Sequence, residues 1–143
     1  MKKFRIWDIK KKKFLNNDNS RYVIDNEGKL YDTNPRWNCE TDMDDYRLEL
    51  LEKDKYIVIN YVDRKDKKGN PAYEGYIIAW ENNGKKFFSV IRYDDFYKCY
   101  CINRIGKNLF QYRPLYFLEV GFEIIGNIYE NPELIDMCNL DEI

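Results

Sequence analysis

The sequence contains no histidine, and Ser20 and Ser89 are its only serines. Without an imidazole, every mechanism that needs one as base, proton shuttle or metal ligand is excluded. A Ser-His-Asp hydrolase is excluded twice over. Long apolar runs are missing too, since no stretch approaches the roughly 20 residues that cross a bilayer. Near the start, Arg5 and Asp8 break the apolar core a signal peptide would need. These absences predict a protein with no membrane partner that stays in the cytoplasm. Cys39, Cys99, Cys101 and Cys138 are even in number, but a cytosolic chain able to build a core has little use for disulfides. They read as reduced thiols.

What is present is a 143-residue chain, 44% hydrophobic and 34% charged, with 13 Tyr, 8 Phe and 3 Trp. That composition belongs to a globular protein. A chain of this length buries about 70% of its unfolded surface, enough for one domain or a compact domain with a small appendage. The 24 basic and 25 acidic groups are unevenly placed. Residues 1–15 hold seven basic groups and one acidic, 39–54 hold seven acidic and two basic, and 129–143 hold five acidic and none basic. Such blocks can pair with one another or with a second copy, although a solvated face is the simpler reading.

Short runs of Ile, Val, Tyr and Phe recur about every ten residues between Gly, Asn, Asp and Pro, the spacing of a small all-β barrel or sandwich. Phe4-Arg5-Ile6-Trp7 reads as a strand with Phe14-Leu15 as its hairpin partner. Tyr22-Val23-Ile24 and Lys29-Leu30-Tyr31 flank the turn Asp25-Asn26-Glu27-Gly28. Residues 32–46 lack periodicity and read as an acidic surface connection. Tyr56-Ile57-Val58-Ile59 suggests a strand buried on both sides. Asn83-Gly84, between Tyr76–Trp80 and Lys86–Arg92, is the strongest hairpin signal. Phe96–Ile102, Leu109–Tyr112, Tyr116–Val120 and Phe122–Ile128 complete the strands, and Asn131-Pro132-Glu133-Leu134 reads as the start of a short helix capped by Asn131. The expected layout is an N-terminal β subdomain over 1–54 and a β-barrel part over 55–143.

Three segments carry a family resemblance: Lys3–Asp8, Asp66-Lys67-Lys68-Gly69 followed by Tyr73-Glu74-Gly75, and Phe122–Leu134. In order and spacing they resemble the YopX-like proteins of phages and prophages. The resemblance implies a mainly β protein whose C-terminal part is an SH3-like barrel, with an N-terminal β-hairpin subdomain and a short C-terminal helix. It also implies a phage or prophage origin. Tyr76 departs from the family pattern, which usually has an acidic residue after Glu-Gly. On physical grounds the motifs read as structural, with Gly75 and Gly126 permitting bends or close approach and the terminal segment closing the sheet.

Cys99-x-Cys101 places two sulfurs on one strand face, and with Cys39 and Cys138 the chain holds four thiols. One pair with a single intervening residue and two distant singles is a poor match to structural zinc spacing. Asp42, Asp44, Asp45, Asp94, Asp95 and Glu74 match no calcium loop and read as loop solvation. No metal, cofactor or catalytic residue is expected. The strongest binding signal is 85–113, where Lys85, Lys86, Arg92, Lys98, Arg104, Lys107 and Arg113 interleave with Phe87, Phe88, Tyr93, Phe96, Tyr97, Tyr100, Phe110 and Tyr112. Lys85, Lys86, Arg92, Tyr97, Lys98, Tyr100 and Arg104 are the candidate residues for single-stranded nucleic acid. An overall pI near 5.6 opposes that reading. The leading expectation is a non-enzymatic phage accessory protein in the host cell that binds a host protein, a phage protein or its own copy through sheet edges and Tyr-rich faces.

Overall fold

The computed structural model describes residues 3–16, 21–34, 36–45, 47–103, 113–118 and 121–136. The chain is mainly β and divides into two compact units, Phe4–Val58 and Ile59–Ile143.

In the first unit, β1 (Phe4–Asp8) pairs with β2 (Lys13–Phe14), setting Trp7 opposite Phe14. Alternation sends Ile6 to a core shared with Tyr22 and Leu30. On the opposite face Trp7 meets Phe14 edge-on at 4.8 Å, and the Arg5 guanidinium lies 3.8 Å over the same ring. Trp7 therefore packs, as its strand position predicts. The hairpin of β3 (Tyr22–Ile24) and β4 (Leu30–Asp32) forms as expected. Its turn is held by the Asp25 carboxylate, which accepts from the Glu27 and Lys29 N–H groups, and by Gly28 at φ +83°.

The acidic segment 32–46 differs from expectation, because it carries a second hairpin, β5 (Arg36–Asn38) with β6 (Met43–Asp45). Backbone pairing needs no alternating apolar pattern, and Asp42 supplies the left-handed turn residue at φ +56°. β7 (Glu49–Leu51) then pairs with β4, giving the order β3-β4-β7.

β8 (Tyr56–Lys65) passes from the first unit into the second. It is not buried on both sides as its apolar run predicts. Of Tyr56, Ile57, Val58 and Ile59 only Ile59 is buried. Tyr56 and Val58 pack partly covered against the first unit's core, whereas Ile57 points to the other, partly solvated face. β9 (Pro71–Tyr73) pairs with the far part of β8.

The second unit is built on five strands: β10 (Tyr76–Asn82), β11 (Lys85–Asp94), β12 (Cys99–Asn103), β13 (Arg113–Pro114) and β14 (Glu123–Asn127). They form a curled sheet in the order β13-β12-β11-β10-β14. Asn83 and Gly84 both take positive φ, +52° and +78°, matching the primed turn that suits a twisted hairpin. Ser89, Val90 and Ile91 are all fully buried, so β11 is covered on both faces at its middle. Val90 joins Ile77 in a core with Phe88, Ile125, Ile128, Leu134 and Ile135.

Three further expectations are corrected. The strand expected from Phe96 begins at Cys99, because 95–98 form a turn. Tyr116 and Phe117, which open the strand expected over Tyr116–Val120, belong instead to a short helical turn, Leu115–Phe117. At the chain's end Leu134 begins a helical segment, but Asn131 Oδ1 accepts from the Asn127 N–H and so ties back to β14. Leu109–Tyr112 lies outside the described residues.

Candidate functional site

Two of the segments that carry the family resemblance, Asp66–Gly75 and Phe122–Leu134, meet one another in the second unit. Gly75, at φ +81°, donates its N–H to the Ile91 carbonyl and accepts from Ile128. A Cβ on Gly126 would stand 2.6 Å from Asn131 Oδ1 and 2.7 Å from Leu134 Cδ1, so glycine lets the terminal turn lie directly on β14. Asn127 is buried, with its side-chain oxygen accepting from Tyr129 and Glu130 N–H groups and its amide donating to Glu130. Asp66 is buried as well. Its carboxylate accepts from Lys68, Asn70 and, across to β14, the Ile124 N–H, while Lys67 N–H donates to the Phe122 carbonyl. Burial pushes this carboxyl up, but the bonds from Asn70, Ile124 and Lys68 outweigh it and hold it below the usual range. Tyr76, the departure from the family pattern, is buried opposite Asn127 with its ring 5.4 Å from Tyr73. These motifs close the fold.

Ser89 and several of the carboxylates serve the structure. Ser89 Oγ accepts the Trp80 indole N–H at 3.1 Å, fully buried, so it is no exposed nucleophile. The Asp94 carboxylate accepts from the Phe96 and Tyr97 N–H groups, and Glu74 accepts from Asn60 N–H. Asp95 is exposed and Asp42 sits in its turn. Among the described residues no group of three or more Cys, Asp or Glu side chains is placed to hold a metal ion. Cys138 lies outside those residues, and Cys39 is exposed.

The basic and aromatic segment is divided by its own strand. Lys85 and Lys86 lie at the β10–β11 turn, and Arg92 is six residues along from Lys86, about 20 Å of extended chain. Tyr97, Lys98 and Tyr100 lie at that second end, but alternation puts Arg92, opposite Cys101, on the other face of the sheet from Tyr100, opposite Tyr93. Arg104 lies outside the described residues. The turn 95–98 joins β11 to β12 and is held by the two Asp94 bonds, 2.8 and 3.0 Å, with Lys98 in the left-handed region at φ +55°.

Its tip exposes Phe96 at 83% and Tyr97 at 63%, their rings edge-on at 5.0 Å. Below them Tyr93, 44% exposed, packs edge-on against Tyr100 directly opposite on β12. Burial, then the nearby Glu74 carboxylate, pushes the Tyr100 hydroxyl up. Tyr129 is pushed up by burial, with Arg92 pulling it down and Glu74 up, so a cation and a carboxylate lie near that ring. Phe96 belongs to the 85–113 basic and aromatic signal but not to the candidate residues, because it reads in the sequence as the first residue of a strand. The signal available was the Asp-Asp pair before it, since Asp favours turns whose N–H groups its side chain accepts.

The first unit has a cavity of about 310 Å³ floored by Leu30, Leu51, Tyr56 and Val58. Its rim groups are exposed and partly paired, Lys29 with Glu27 at 3.3 Å and Glu52 with Lys55 at 3.0 Å. It offers an apolar floor without converging reactive groups.

No helix among the described residues is long and apolar enough to cross a membrane. No curated protein matches the chain significantly. Protein EF1440 from Enterococcus faecalis has a similar fold, at 22% identity and a TM-score of 0.58, covering 93% of this chain and 96% of that one. Protein yopX from Bacillus subtilis is similar at 16% identity and a TM-score of 0.59, covering 93% and 95%. The model of the family described as YopX protein matches residues 3–136. The motifs that close this fold, and a family match running over nearly its whole length, place the chain in the YopX family.

Proposed function

We propose that this protein is a non-enzymatic, phage-encoded accessory protein of the host cytoplasm that binds another protein through the aromatic tip of the β11–β12 hairpin. The curled sheet, read as an SH3-like barrel, serves as its platform. The observation that carries this reading is Phe96, 83% exposed on a turn that Asp94 holds rigid, beside Tyr97 and Tyr93. Large rings left in water on a preorganised turn give up little conformational entropy on binding and bury much area. Sheet-edge docking has less support at β14, whose backbone is engaged by the Asp66 turn. Quantitative co-purification from infected host cells, comparing the unaltered chain with Phe96→Ala, tests this reading.

A second reading, single-stranded nucleic acid, draws on Lys98 beside Tyr93, Tyr97 and Tyr100, with Arg92 on the opposite face of the strand. Lys85 and Lys86 at the far end of β11 and the Glu74 carboxylate near Tyr100 weaken it. A formal net charge of −1 weakens it further.

A further inference from the structure

Cys99 and Cys101 stand two apart on β12, so both side chains leave the same face of the strand. Their sulfurs lie 3.8 Å apart, and the Cys101 thiol also donates to the Cys99 carbonyl at 3.8 Å. Both are free thiols; Cys101 is buried and Cys99 half-buried. On neighbouring β11, Asp94 stands opposite Cys99 and Arg92 opposite Cys101.

Two residues of extended strand separate Cα atoms by about 6.6 Å, near the long end of the roughly 4.4–6.8 Å that disulfides span. A bridge here would need a small backbone shift and would be held under tension. We propose that Cys99 and Cys101 are a dithiol redox site that closes to a strained, readily reduced intrachain disulfide.

The oxidant class is a small-molecule disulfide such as oxidised glutathione. The Cys99 thiolate attacks one of its sulfurs, forming a mixed disulfide and releasing one glutathione thiolate, which takes up a proton. Cys101 then loses its proton to solvent and attacks the Cys99 sulfur, expelling the second glutathione. Two protein thiols are oxidised and one glutathione disulfide is reduced to two thiols. Burial first, then the Cys99 hydrogen bond, pushes the Cys101 thiol up to about 12. That makes it a poor first nucleophile and assigns the opening attack to the more exposed Cys99.

The test equilibrates the full chain in glutathione buffers of stepped redox ratio, alkylates free thiols and maps tryptic peptides. Cleavage after Lys98 and Arg104 releases residues 99–104, which contain both cysteines. The expected result is that this peptide loses two hydrogens and escapes alkylation in oxidising buffer, and that both changes reverse in reducing buffer. In Cys101→Ser, glutathione accumulates on Cys99. The proposal is overturned if both cysteines remain alkylated in the most oxidising buffer, if a glutathione adduct persists on Cys99 of the unaltered chain, or if either bridges to Cys39 or Cys138. The unaltered chain supplies the decisive reading, so it does not depend on how the variant folds.

Discussion

Gly75 and Tyr129 approach so closely that a Cβ on Gly75 would stand 2.9 Å from the ring's Cε2 atom. Glu74-Gly75 and the terminal motif, far apart in sequence, are thus a single packing event. Gly75 also sits at φ +81°, where a side chain is strained whatever the space. Gly75→Ala is expected to destabilise the protein by about 2–4 kcal/mol, combining backbone strain with a clash against a half-buried ring. Urea unfolding measures it, and a change under 0.5 kcal/mol would mean the approach is not rigid.

Ser89 is held for its hydrogen bond. Ser89→Ala leaves the buried Trp80 N–H without its acceptor and is expected to cost about 1–2 kcal/mol. Indole fluorescence during the same unfolding series reports both the cost and the local change.

Acid weakens the fold through carboxylates held below their ordinary range. Asp32 is lowered chiefly by its Arg21 hydrogen bonds at 3.0 Å, and Asp66 by the N–H donors described above, which offset its burial. A depressed folded pKa contributes stability that is complete above the unfolded value, near pH 4, and is lost as pH falls through the folded one. Stability is expected to be flat from pH 7 to about 5 and to fall below about 4. Asp66→Asn should shallow that fall, as read from unfolding midpoints across the pH series. A fall as steep as that of the unaltered chain would remove Asp66 from the account.

The hairpins were legible because their turns demand particular residues: Asn83-Gly84 supplies two positive φ angles, and Asp25 to Gly28 an accepting carboxylate and a third. The β5–β6 hairpin was not, since its left-handed turn residue is Asp42 rather than glycine and its strands show no alternation. The tip was hidden for a related reason. Asp94-Asp95-Phe96-Tyr97 continues an aromatic strand pattern, and only the Asp94 side chain, folded back on two N–H groups, turns the chain there and leaves Phe96 in water.

Nucleic acid affinity is expected to be absent. Anisotropy of labelled single-stranded DNA and RNA at roughly 50 and 200 mM salt should show no salt-sensitive binding. Binding that falls steeply between those salts, and weakens further in Lys98→Ala and Arg92→Ala, would put the nucleic-acid reading first.

Phe96 and Tyr97 are exposed, so replacing both with alanine should leave the unfolding free energy within about 0.5 kcal/mol of the unaltered chain. The most direct measurement is the amount of partner each form retains, by quantitative co-purification from infected host cells, with Lys85→Ala at the far end of β11 as control. The predicted result is one protein retained by the unaltered chain and by Lys85→Ala, and reduced at least about tenfold by Phe96→Ala with Tyr97→Ala. Equal retention by all three forms, or no protein retained by any, would contradict it.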